Sequence, residues 1–142
     1  MYKILLIAAV SLTLIGCVPT SEPTVTNTAK EQSTQKLEGP TWQLVSFGLT
    51  RMAVPKDASI TFKDGQYSGN GGCNGVGGNY KFSGNTLILS AGFSTMMACP
   101  ELALEHKYMK ALEKVDNYKI EDNILDLKSQ GRSVLRFKIE TH

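Results

Sequence analysis

The chain has 142 residues, a formal net charge of +2 and three cysteines. That is about the size of a typical domain and suggests one compact domain. Basic and acidic residues stay near balance along its length, so there is no clustered basic footprint of the kind that nucleic acid requires.

The first element is a leader over residues 1–16. Lys3 supplies a small positive region, the apolar run Ile4–Ile15 follows, and Gly16 stands before Cys17. Such a run is shorter than the roughly 20 apolar residues of a membrane span and has the layout of a signal peptide. Leu14-Ile15-Gly16-Cys17 resembles the bacterial lipoprotein box. The resemblance implies that Cys17 becomes a lipidated mature N-terminus, partnered with a membrane through its acyl chains. One chain holds a protein marginally and two or more hold it firmly. Val18 is not the aspartate that resembles an inner-membrane retention signal, so in a host with two membranes the expected address is the outer membrane, facing the periplasm.

Residues 17–37 follow as a tether rich in Thr, Ser, Pro and Glu, without an aromatic residue or a periodic pattern. A segment of this composition does not bury enough apolar surface to offset its ordering entropy. Residues 38–142 then form the folded domain.

Within it, alternation predicts strands at Thr41–Phe47, with Trp42 and Leu44 on one face, and at Ser59–Lys63, with Ile60 and Phe62 inward. Asp64-Gly65 signals a hairpin into Gln66–Asn70. A glycine-rich crossing leads to a strand at Asn79–Phe82, and Gly84-Asn85 turns the chain into Thr86–Ser90, with Leu87 and Leu89 on one face. A helix is predicted from Pro100 to Val115, since Leu104, Tyr108, Ala111, Leu112 and Val115 form one apolar stripe with Lys107, Lys110 and Lys114 outside it. Strands at Tyr118–Glu121, Ile124–Lys128 and Val134–Ile139 complete the chain. The fold class is α+β: a strongly curved antiparallel sheet or partial barrel of about eight strands, with the helix packed across it.

Cys73 and Cys99 are the two cysteines left after Cys17. An even number in an oxidising compartment predicts a disulfide, here pinning the glycine-rich crossing to the helix start. A redox pair would more typically be a Cys-x-x-Cys at a helix N-terminus. The glycine-rich stretch lacks the Lys-Ser/Thr that a phosphate loop needs, so its glycines are read as backbone geometry. Met96, Met97, Cys99 and His106 include soft ligands suited to copper(I), but the spacing is unconvincing and a disulfide would consume Cys99. The carboxylates Asp57, Asp64, Asp116, Asp122 and Asp126 mostly occupy turns or exposed strand positions. No catalytic residue, cofactor site or metal site is therefore assigned, and the chain is not expected to be an enzyme.

Taken together, Trp42-Gln43-Leu44, Gly72-Cys73-Asn74, Gly78-Asn79-Tyr80 and Thr95–Pro100 (TMMACP), followed by an acidic-aliphatic helix, resemble the META/HslJ family, once called domain of unknown function 306. The resemblance spans roughly Leu37 to Thr141. It implies a curved antiparallel sheet with a helix, envelope association, heat-inducible expression and a link to novobiocin resistance, with no established catalytic residues. The expected function is that of a non-catalytic, lipid-anchored envelope protein in a stress or envelope-integrity role, acting by binding an envelope protein or a small hydrophobic ligand. The alternative is an inhibitor of a secreted or periplasmic hydrolase. The loop Gly48–Asp57, with Arg51, Met52 and Pro55, is the candidate binding loop. A convex loop would favour the inhibitor, and a concave, apolar pocket under the helix would favour the small ligand.

Overall fold

A computed structural model describes residues 37–140. The leader, Cys17 and nearly all of the tether lie outside the described residues. Eight antiparallel strands run in chain order: β1 (Thr41–Ser46), β2 (Ser59–Lys63), β3 (Gln66–Asn70), β4 (Gly75–Ser83), β5 (Thr86–Ser94), β6 (Asn117–Glu121), β7 (Ile124–Ser129) and β8 (Arg132–Ile139). Each pairs with its neighbour, and β1 pairs with β8, so the curved sheet closes into a barrel. Closure removes the exposed edges of an open sheet. The thinnest seam is β5–β6, where Thr86↔Asn117 is the sole registered pair. It is also where the helix α1 (Leu102–Leu112) enters the chain.

The alternation read from sequence fills the interior. Trp42, Ile60, Phe62, Leu87, Leu125, Leu127, Leu135 and Phe137 are all fully buried, while Ile88, between Leu87 and Leu89, faces outward. Trp42 is the largest of the core side chains and donates its indole N–H to the Leu37 carbonyl at 3.0 Å. Phe62 and Tyr80 meet edge to face at 5.1 Å, a favoured aromatic geometry.

Three hairpins turn through paired positive φ angles: Asp64-Gly65, Asp122-Asn123 and Gln130-Gly131. This is the conformation of a two-residue turn whose twist matches the flanking strands.

Several boundaries differ from expectation: β5 runs on to Ser94 rather than Ser90, α1 ends at Leu112 rather than Val115, and β8 begins at Arg132 rather than Val134. The glycine-rich stretch is not merely a crossing, because β4 begins at Gly75, four residues before Asn79. Its glycines lie where strands approach too closely for a side chain. A Cβ on Gly78 would come within 2.7 Å of both the Ser90 carbonyl and the Tyr67 ring. The helix begins at Leu102 rather than Pro100, since the Cys99 carbonyl accepts the Leu102 N–H in a preceding turn and Glu101 takes the capping position.

α1 lies across one end of the barrel. Tyr108 is buried, packs on Phe137 at 6.3 Å and donates its hydroxyl to the Ser59 carbonyl at 3.3 Å. Leu112 and Val115 are buried beside it. The β1–β2, β3–β4 and β7–β8 connections reach the same end, and they position the features below.

Candidate functional site

Two features gather at the helix end of the barrel: a buried carboxylate clasp and an open groove. The clasp centres on Glu105, whose residue surface is 2% exposed. It lies on the inward face of α1, one turn before Tyr108. The Cys73 and Asn74 backbone amides donate to its Oε2 at 3.2 and 2.7 Å, and Asn74 Nδ2 and Ser94 Oγ donate to its Oε1 at 2.8 and 3.2 Å. Burial alone would raise its pKa. The bonds from Asn74, backbone and side chain, and then from Cys73 and Ser94, outweigh burial and hold it below the ordinary glutamate range.

Asn74 extends the clasp. Its Oδ1 accepts from Thr95 Oγ1 at 2.9 Å and from the Met97 amide at 2.7 Å. The β3–β4 loop, the segment after β5 and the helix are thus joined through one side chain. Cys73 and Cys99 form a disulfide beside it, with Cα atoms 6.2 Å apart, inside the usual span of about 4.4 to 6.8 Å. Cys99 consequently has no free thiolate to offer a metal, and Met96, three residues earlier, is 99% exposed. Gly71 is needed for the approach, because a Cβ there would meet the Glu105 side chain at 2.7 Å. With hydrogen bonds to both of its oxygens, Glu105 ties the helix to the β3–β4 loop and to the end of β5.

The groove lies between the turn after β1 and the outer face of α1, with a volume of about 560 Å³. Phe47, Ala111 and Val134 contribute apolar lining, and Lys107 and Lys110 on the helix, with Lys114 just past its end, line the other side. The turn is tightly built. Thr50 donates both its amide, at 3.1 Å, and its hydroxyl, at 2.7 Å, to the Phe47 carbonyl, and Ser46 Oγ donates to the Gly48 carbonyl at 2.7 Å. Gly48 has φ +56°, and a Cβ there would lie 2.5 Å from the Ser133 carbonyl. The turn therefore sits down on β8 and lifts Leu49, 81% exposed, at its tip.

The candidate loop residues separate. Arg51 is exposed, and Met52 is 47% exposed with its sulfur in contact with Lys107 Nζ. Pro55 is buried, and a Cβ on Gly72 would lie 2.3 Å from it, so Pro55 secures the loop base against the disulfide segment. Sequence reasoning missed Leu49 and Glu105. Glu105 carried one signal: it lies three residues before Tyr108 and seven before Leu112, on the same helix face.

A family model described as META domain matches residues 35–141. Among solved structures, the chain is similar to a protein from Burkholderia xenovorans determined by NMR, at 25% identity and TM-score 0.66, covering 78% of this chain and 88% of that one. It also resembles a DUF4847 family protein from Bacteroides vulgatus, at 18% identity and TM-score 0.61, covering 78% of this chain and 99% of that one. The second likeness is one of fold. No curated protein matches.

Proposed function

The chain belongs to the META domain family, and from that premise we propose that it is a non-catalytic, lipid-anchored envelope protein that serves a stress-response or envelope-integrity role through binding. The observation that carries the binding reading is the groove between Phe47 and α1, a concavity with apolar lining and a cationic side. Pockets of this size, with a few polar groups around apolar walls, are the usual form of a small-ligand site. The Leu14–Cys17 box and the following tether support the anchored address, which in a host with two membranes is the outer membrane facing the periplasm.

A second reading draws on a different observation. The Phe47–Thr50 turn is braced by its own hydrogen bonds and projects Leu49, a rigid convex tip suited to entering the cleft of a secreted or periplasmic hydrolase.

Fractionation and in-cell crosslinking of the native chain, beside a Cys17→Ser variant, test both readings. The native chain is expected in the membrane fraction and the variant is expected to leave it. Equal fractionation would remove the anchor. Recovery of one hydrolase in stoichiometric amount would replace the ligand-binding reading with the inhibitor.

A further inference from the structure

The groove carries one sign of charge. Lys107 and Lys110 on α1, and Lys114 in the turn that follows it, are spaced three and four residues apart and line the same side of the groove. No Asp or Glu lines the groove, and His106 is the remaining titratable group in it. Among the described residues, the salt bridges are Lys119–Glu121 and Lys128–Asp126, neither of which involves these lysines. The chain as a whole is nearly balanced, with 15 basic against 13 acidic residues. The groove is thus a local concentration of positive charge rather than a sample of the average.

Lys107 shows what these cations lack. Its ammonium lies 5.1 Å from the centroid of the Phe47 ring and touches the Met52 sulfur. A π face and a thioether are soft, weakly attractive partners, and an anion arriving there would find the ammonium already beside apolar surface. Phe47, Ala111 and Val134 line the same groove with hydrocarbon, and Leu49 and Met52 add flexible side chains to it.

We propose that this groove binds an anionic amphiphile: a single acyl chain ending in a carboxylate or phosphate, with the chain over Phe47 and Val134 and the head among Lys107, Lys110 and Lys114. The volume of about 560 Å³ falls within the roughly 300 to 1,000 Å³ of small-ligand sites. The proposal rests on the reading that the chain acts by binding, and it names the ligand class.

The test uses the full chain in phosphatidylcholine nanodiscs and three photoreactive diazirine probes: a free C12 fatty acid, the matching C12 alcohol, and a phosphatidylglycerol carrying the same chain within the bilayer. Labelled peptides are mapped by mass spectrometry. The free acid is expected to label the Phe47–Met52 turn and the start of β8. Replacing the three lysines by serine should reduce that labelling about tenfold, as should the neutral alcohol, on the scale of removing several exposed charge pairs at once. The lysines are exposed, so the triple variant is expected to stay folded with a small drop in melting temperature, from lost helix propensity and the Lys107–Phe47 contact.

Equal labelling by acid and alcohol, or labelling that survives loss of the lysines, would overturn the anionic recognition. Labelling by phosphatidylglycerol alone would make this face a bilayer contact and overturn the ligand site, as would label confined to the tether. If these probes fail while in-cell crosslinking still recovers a partner, the ligand class falls and the binding reading stands.

Discussion

Glu105 on α1 accepts hydrogen bonds from both amide groups of Asn74, the backbone N–H at 2.7 Å and Nδ2 at 2.8 Å. Asn74 follows the disulfide residue Cys73 in the β3–β4 loop. One residue pair therefore ties the helix to the barrel rim beside the covalent crosslink. Each bond involves an ionised acceptor, the stronger class, and both residues are buried away from water that could replace it.

Removing that acceptor leaves buried amides without a partner. Glu105→Ala is expected to lower unfolding free energy by about 3 kcal/mol, on the scale of losing charged-group hydrogen bonds. Glu105→Gln should cost less, because its remaining oxygen still accepts from the Cys73 and Asn74 backbone amides, and the loss that remains comes from its N–H₂ opposing the donor Asn74 Nδ2. Urea denaturation reads both; a loss under about 0.5 kcal/mol for the alanine variant would show that the clasp contributes little.

The same carboxylate gives an acid-sensitive component to stability. Its folded-state pKa lies below the ordinary value, which is about 4.3 for an unfolded glutamate. Between the two values the unfolded chain binds more protons, so stability rises with pH there. The contribution is complete above the unfolded pKa and is lost as pH falls through the folded one. In Glu105→Gln the acid limb of the stability profile should be shallower than in the parent; parallel profiles would contradict the assignment.

The disulfide spans 26 residues, and by the loop-entropy argument its removal should cost about 3.5 kcal/mol. The Cys73→Ala/Cys99→Ala double variant should show this as a lower urea midpoint, matched by the parent under reductant. Identical midpoints for oxidised parent, reduced parent and variant would contradict a stabilising crosslink.

Close strand approach makes one glycine costly to replace. A Cβ on Gly69 would stand 2.0 Å from the Ser59 carbonyl oxygen and 2.9 Å from Ile60 Cα, both backbone atoms. Gly69→Ala should destabilise the domain by about 3 kcal/mol, the upper part of the overpacking range. Gly75→Ala, whose nearest such atom is 4.0 Å away, should change stability by under about 1 kcal/mol. Equal losses at both positions would contradict the β2–β3 geometry.

Much of the fold was legible because its signals are local. Alternation around Trp42, Ile60 and Leu87 marked the inward faces, Asp64-Gly65 marked a tight turn, and the Leu104–Val115 stripe marked the helix. Closure of β1 on β8 was not legible, since Trp42 pairs with Ile139 from the other end of the domain. The first half of β4 was hidden for a different reason: Gly77 and Gly78 have no side chains to alternate. The site was less legible still. Glu105 looks like an ordinary helical acid until Asn74, 31 residues earlier, is placed beside it. The groove was half visible. The loop carrying Met52 was evident, but Leu49 became prominent only once Gly48 was seated on Ser133.

The most direct test of the account is a photoreactive amino acid at position 49, introduced into the full chain in living cells. A matched probe at Asp122 reports from the β6–β7 turn, at the opposite end of the strands. The account predicts a discrete adduct at position 49 and none at position 122, with the position 49 adduct reduced when Lys107, Lys110 and Lys114 are replaced by serine. Adducts of equal yield at both positions, or none at position 49, would contradict a binding role for the groove.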